Sequence, residues 1–234
     1  MNRTTHWKQL DVLFEDNHLI AVNKRVGDIV QGDKSGDKAL SDLVKEYIKH
    51  RYKKPGDVFL GVIHRIDRPV SGVVVFARTS KALSRMNELF RNDDILKTYW
   101  AVVRNRPEME ELVLVDFMRK NEKQNKSFTC KEGSPGAKRA ELKYRLCGST
   151  DRYWFLEIHP KTGRHHQIRV QLSHIGSPIR GDLKYGAARS NRDGGIHLHA
   201  RSIEFTHPVR KEPVTIQASV PDDPLWKEFE GQVS

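Results

Sequence analysis

Cysteine is nearly missing from this chain, which holds only Cys130 and Cys147. Two cysteines without metal-ligand spacing exclude a disulfide-dense scaffold and a cysteine-rich zinc module, and they fit a reducing compartment. Long apolar runs are missing too. No stretch approaches the length that crosses a bilayer, and the opening "MNRTTHWKQLDVLFEDNHLI" has no signal-type hydrophobic core. A soluble, cytoplasmic protein with no membrane partner is the expectation. Acid is in short supply: 30 Asp+Glu stand against 41 Lys+Arg, for a net charge of +11. Such an excess attracts polyanions, nucleic acid above all. The sequence also lacks G-x-x-x-x-G-K-[ST] and a strand-linked G-x-G-x-x-G, so nothing in it cradles a nucleotide phosphate. Ser71 in "VSG" lacks the G-x-S-x-G elbow of a serine hydrolase.

What is present is a periodic apolar pattern. At 234 residues the chain fits a single domain with a sizeable core. "DVLFE" and "LIAVNK" flank Asp16-Asn17-His18 and read as a β-hairpin. "DKALSDLVKEYIKHRYK" puts Leu40, Leu43, Val44, Tyr47 and Ile48 on one helical face, with Asp37 expected as its N-cap. "GVVVFAR" is an apolar strand, and "SKALSRMNELFRND" a helix with Ser80 expected as N-cap. "KTYWAVV", "AELKYRL", "YWFLEIHP", "IHLHARSIEFTHP" and "PVTIQAS" read as further strands. "HHQIRVQLSHIG" reads as a helix stopped by Gly176. Residues 121–139 are polar, basic and Gly/Pro-bearing, and read as a hairpin tip or exposed loop. Strands outnumber helices at hairpin-like spacing. The expected fold class is α+β, a mixed, mainly antiparallel sheet with flanking helices.

Two segments carry chemistry. In "IHRIDRPVSGVVVFAR", Asp67 sits between two arginines and ahead of a buried-looking strand. In "KTGRHHQIR", Lys161, Arg164 and Arg169 crowd a helix entrance, where free N–H donors and the dipole favour an anion, either a phosphate or a buried carboxylate. His197 and His199 in "HLH" share a strand face, and His165, His166 and His174 lie close in sequence. No cysteine or acidic partner stands at a familiar zinc spacing beside them, so no metal is expected.

Taken in order, "LFEDNHLIAVNK", "HRIDRPVSGVVVFAR", "KTYWAVV", "TGRHHQIR", "GSPIRGDLKYG" and "LHARSIEFTHP" resemble the RluA family of RNA pseudouridine synthases, over Asp11 to Val214. The resemblance implies the pseudouridine synthase fold with a central RNA-binding cleft. It implies one catalytic domain over 1–234, with residues 121–139 as a basic insertion. It also implies conversion of uridine to pseudouridine in tRNA, in rRNA or in both: the glycosidic bond breaks, the base turns, and C5 joins C1′. No cofactor, no metal and no obligatory protein partner are implied, and a monomer is expected. By motif, Asp67 is the catalytic aspartate, Tyr99 the tyrosine that stacks on uracil, and Arg164 the cation paired with the aspartate. Arg65 is expected against the RNA, and Lys24, Lys161, Arg169 and Lys184 on phosphates.

A carboxylate withdrawn from water tends to protonate, and an adjacent guanidinium keeps it ionised and oriented. Whether it attacks the sugar or removes a sugar proton stays open. The chain departs from the family pattern at Arg25, where proline is usual after Asn-Lys, and at Pro69-Val70, where threonine commonly precedes Ser-Gly. Neither change touches Asp67. Many relatives carry an N-terminal S4-type RNA-binding domain, for which this chain is too short. Two other readings are a non-catalytic RNA chaperone of the same fold and an N-glycosidase that releases the base.

Overall fold

The computed structural model describes residues 6–32 and 36–233. In chain order the elements are β1 (Val12–Glu15), β2 (Leu19–Lys24), α1 (Leu40–Arg51), β3 (Gly61–Val62), β4 (Ser71–Ala77), α2 (Ser80–Arg91) and β5 (Leu96–Val103). Next come β6 (Glu111–Asn121), β7 (Lys126–Cys130), β8 (Lys138–Ser149), β9 (Trp154–Pro160) and α3 (Gln167–His174). The chain closes with β10 (Leu198–Thr206), β11 (Pro213–Gln217) and α4 (Pro224–Val233). This is the expected α+β fold, and the registered strand pairs are antiparallel. Among the described residues no helix is long and apolar enough to cross a membrane. The chain forms two compact units: Met1–Leu96 with Ala200–Ser219, and Lys97–His199 with Val220–Ser234.

In the first unit the β1–β2 hairpin forms where the sequence places it. Asp16 Oδ1 accepts from the N–H groups of His18 and Leu19, each at 2.7 Å, which folds the turn locally. β2 then pairs with β4 from Leu19↔Ala77 to Lys24↔Gly72. Every residue of β4 is buried, so it reads as a continuous apolar run rather than an alternating one. One face of the ladder, with Leu19, Ala21, Val73, Val75 and Ala77, packs with Ala82 and Met86 of α2 and with Ile203 and Phe205 of β10.

Both expected helix caps move. The N-cap of α2 is Thr79, whose hydroxyl accepts from Ala82 N at 3.2 Å, one residue before Ser80. Ala39 starts α1 without a side-chain cap. Its first donors are taken up by main chain instead, Leu40 N by Ile29 O at 2.7 Å and Ser41 N by Val30 O at 3.1 Å. Asp37 pairs with Arg68 at 2.6 Å.

The second unit orders its strands β5-β9-β8-β6-β7. Residues 121–139 hold the β6–β7 hairpin turn, all of β7 and the start of β8, and the β7–β8 link crosses from one side of β6 to the other. Helix α3 ends as expected at Gly176, whose φ of +77° suits the left-handed stop, and Ser177 N closes back on Leu172 O at 2.9 Å. Helix α4 brings Trp226 and Phe229 against Trp100, Val102 and Phe155 of the sheet. Phe229 and Phe155 stack with centroids 4.1 Å apart. Asp223 starts this helix by accepting from Leu225 N at 2.9 Å. The His197 side chain and these N–H groups hold its carboxyl down to about 2, against partial burial.

Two outcomes follow from these contacts. At Gly72, φ is +115° and a Cβ would stand 2.2 Å from Ala200 O, so Gly72→Ala must force β4 and β10 apart. The variant is expected to lose more than about 3 kcal/mol in chemical denaturation, or to be recovered unfolded. Asp223→Ala is expected to cost about 1 kcal/mol through the lost cap. Because the Asp223 pKa is depressed on folding, its contribution is complete above the ordinary 3.8 and disappears as pH falls towards 2. The stability gap between wild type and variant, measured from pH 6 down to pH 2, closes in that window.

Candidate active site

Asp67 lies on the segment between β3 and β4. Val70 N donates to Asp67 O at 3.0 Å and closes a turn over Arg68 and Pro69. Ile66 and Val70 are buried on either side, so the half-buried aspartate is held between two apolar anchors. The same segment is pinned further back: His64 Nε2 accepts from Val75 N at 3.0 Å, and its ring stacks on Phe90. Arg65 and Arg68 are exposed.

Lys24 is placed differently from the expectation that it contacts phosphate. It is 1% exposed, and its ammonium donates to Arg25 O at 2.9 Å, Asp28 O at 2.8 Å and Arg68 O at 3.1 Å. Three acceptors match the three donors of an ammonium group. Burial pushes its pKa down to about 7, although the Asp28 and Asp67 carboxylates pull the other way. Arg68 O also accepts from Gly27 N at 3.0 Å, so the β2 end and the turn that bears Asp67 are knitted together by main-chain acceptors.

In the second unit Tyr99 is half-buried on β5, opposite Ile158 of β9. Arg164 lies in the loop before α3, where Gln167 organises the chain. The Gln167 Oε1 accepts from Arg164 N at 2.9 Å and from the Thr162 hydroxyl at 2.7 Å, and its Nε2 donates to Glu141 O at 3.0 Å. The exposed Arg164 donates from Nε to Arg139 O at 2.9 Å. Lys161 is exposed and pairs with Glu141 at 3.6 Å. The Glu141 carboxyl lies below its usual range, through its bond to Arg139 first and the Lys161 charge after. Lys184 is exposed and donates to Asn125 O at 3.1 Å.

Arg169 also differs from expectation. It is 5% exposed and donates from Nε and Nη2 to the two Asp182 oxygens at 2.6 and 2.8 Å. Its guanidinium lies over the Tyr185 ring, 4.9 Å from the centroid. The Tyr185 hydroxyl accepts from Ser127 N at 2.9 Å and meets His166 Nδ1 at 2.8 Å. Neither Lys24 nor Arg169 offers its cation to solvent. Asp182 and Tyr185 are structural partners that sequence reasoning passed over. Asp182 lies thirteen positions after Arg169, and no periodicity signals such a pair. Among the described residues no group of three or more His, Cys, Asp or Glu side chains could hold a metal ion.

Lys24→Met would leave Asp28 O and Arg25 O without this donor. Orphaned buried acceptors cost about 1–3 kcal/mol each, so a loss of at least about 2 kcal/mol in unfolding free energy is expected. A denaturant midpoint equal to wild type would show that the ammonium is not a structural tie.

Comparison with known proteins gives these motifs a family. A family model described as RNA pseudouridylate synthase matches residues 18–174, a span that includes Asp67, Tyr99 and Arg164. A tRNA pseudouridine synthase C of Vibrio cholerae is 32% identical over 93% of this chain and 93% of its own. The protein of that name from Haemophilus ducreyi is 33% identical over 94% and 93%. Among solved structures, human RNA Pseudouridylate Synthase Domain Containing 4 shares the fold with a TM-score of 0.77, at 24% identity over 95% of this chain and 92% of that one. The chain belongs to the RNA pseudouridylate synthase family, in its RluA branch.

Proposed function

We propose that the protein converts uridine to pseudouridine in tRNA, with Asp67 as the catalytic carboxylate. The observation that carries this reading is the match to relatives named tRNA pseudouridine synthase C, which runs through both chains almost end to end. The target uracil is stacked in RNA, so it is extruded first, at a cost of a few kcal/mol. Tyr99 receives it, and base–aromatic stacking returns about 1–3 kcal/mol of that cost. Asp67 then acts on the ribose, either at C1′ or by taking the C2′ proton. The glycosidic bond breaks, the base turns, and C5 joins C1′ with loss of the C5 proton. Arg65, Lys161 and Lys184, all exposed, supply phosphate contacts, which hold the RNA in a salt-dependent way.

The motif gives Arg164 the role of counter-charge to the aspartate. One observation favours a second reading of that role. Arg169 is already withdrawn from water and fixed bidentate by Asp182, whereas Arg164 is exposed. A desolvated, oriented guanidinium suits a carboxylate that must stay ionised out of water.

Tritium release from C5-labelled uridine tests the reaction, with tRNA and ribosomal RNA supplied separately. Release from tRNA, and none with Asp67→Ala, is the expected result. Release from ribosomal RNA alone would overturn the substrate, and free uracil among the products would overturn the reaction. Single-turnover rates for Arg164→Met and Arg169→Met assign the cation. A fall of at least about 100-fold is expected in the variant that removes it, in line with the loss of one charge-stabilising donor. Melting curves of both variants separate lost chemistry from lost fold.

A further inference from the structure

Three side chains meet at the end of β5 remote from Tyr99. The β5–β9 ladder runs to Val103↔Trp154, so Arg104 follows the last paired residue of one strand and Tyr153 precedes the first of the other. The Arg104 guanidinium lies over the Tyr153 ring, 5.8 Å from its centroid, and that of Arg180 lies 5.1 Å from it. Each group is set by its own backbone contacts. Tyr153 sits in the β8–β9 turn, donating from N to Thr150 Oγ1 at 3.1 Å, while its carbonyl accepts from Thr150 N at 2.8 Å. Arg180 N donates to Val102 O at 2.9 Å, and its carbonyl accepts from His197 N at 2.9 Å. Its Nη1 reaches His197 Nε2 at 2.8 Å.

Neither guanidinium here has a carboxylate bound directly to it. Other arginines of this unit find carboxylates: Arg106 pairs with Glu110, Arg139 with Glu141 and Arg145 with Glu157. Among the described residues neither Arg104 nor Arg180 is in a salt bridge, and the nearby Asp223 is engaged by His197 and the start of α4. The Tyr153 hydroxyl registers the imbalance. Burial works to raise its pKa, yet hydrogen bonding and charge from Arg180 and then Arg104 bring it below the usual phenol value. Two guanidiniums held over one ring repel each other, and an anion between them would relieve that repulsion. With both cations over the ring, Tyr153 is a poor platform for a base. Its hydroxyl and the two guanidinium forks suit a phosphate.

We propose that Arg104, Arg180 and Tyr153 form a subsite for a backbone phosphate of the RNA substrate. The proposal rests on the reading of the protein as an RNA-modifying enzyme. Arg104 lies five residue steps along the chain from Tyr99, about 17 Å of extended backbone, so the phosphate bound here belongs to RNA outside the reacting nucleotide. The subsite acts on affinity and register, and leaves the chemical step alone.

The test is fluorescence anisotropy of an end-labelled, unmodified tRNA transcript against the full chain, over a series of KCl concentrations. Arg104 is exposed, so Arg104→Ala removes a guanidinium without opening the core. The variant is expected to bind about five- to tenfold more weakly near about 0.1 M KCl, and its log K against log salt slope is shallower by about 1. Arg104→Lys keeps the wild-type slope, and the rate at saturating RNA is unchanged in both. Tyr153→Phe weakens binding without changing the slope. Wild-type affinity and slope in Arg104→Ala, with an unaltered melting curve, overturn the subsite. Tritium release by wild type in the same preparation separates the two claims. Turnover with an unchanged slope sinks the subsite alone. A changed slope without turnover supports the subsite and sinks the proposed reaction.

Discussion

A buried ammonium holds the segment that bears Asp67. Lys24 serves three carbonyls that come from the end of β2, the turn after it and Arg68. Remove that donor and the acceptors must find water in a place that excludes it. The geometry around the aspartate follows from this tie. Arg68 O is fixed by Lys24 and Gly27, Ile66 and Val70 are pressed into the apolar interior, and the carboxylate is left half-buried between them. A loop this rich in charge has few inward-facing apolar side chains with which to hold itself. Here a charge takes that part, at the cost of desolvation that brings the lysine pKa down to about 7.

The second unit solves the same problem with neutral and paired groups. Gln167 gathers Thr162, Arg164 and Glu141 at the start of α3 by using both ends of its amide. Two residues further along α3, Asp182 fixes the Arg169 guanidinium, with the Tyr185 ring against it. These are rigid supports under mobile-looking sequence. Glycines and charged residues dominate "KTGRHHQIR" and "GSPIRGDLKYG", yet the structure holds Gln167, Arg169, Asp182 and Tyr185 in its interior.

Regular elements with strong periodicity were legible from the sequence. The β1–β2 hairpin, α1, α2 and the Gly176 stop of α3 lie where apolar spacing and turn chemistry place them. Caps were less legible, since the donors of α1 are satisfied by carbonyls of Ile29 and Val30, which no local rule foresees. Strand β6 escaped notice because Val113 and Val115 face solvent while Leu114 faces in, and the strand therefore looks neither buried nor cleanly alternating. Helix α4 escaped because its start is a Pro/Asp stretch and its fully buried anchors are Trp226 and Phe229. At the site, the motif residues were named from order and spacing, whereas burial was not. A lysine or arginine in a basic protein reads as a surface cation. Only the long-range partners Arg68, for Lys24, and Asp182, for Arg169, reveal the ones turned inward.

The discontinuity of the first unit bears on how the chain is born. Its sheet is completed by β10 and β11, carried largely by the segment Ala200–Ser219, after Lys97–His199 has been made. At ribosomal rates of about 5–20 residues per second, the β4 edge that receives β10 waits roughly 5–20 s for its partner. That edge includes Gly72, whose missing side chain leaves nothing there to shield the main chain against other strands. During this interval the nascent polypeptide carries an apolar strand whose margin lacks its β10 partner, with β3 covering Phe76 and Ala77.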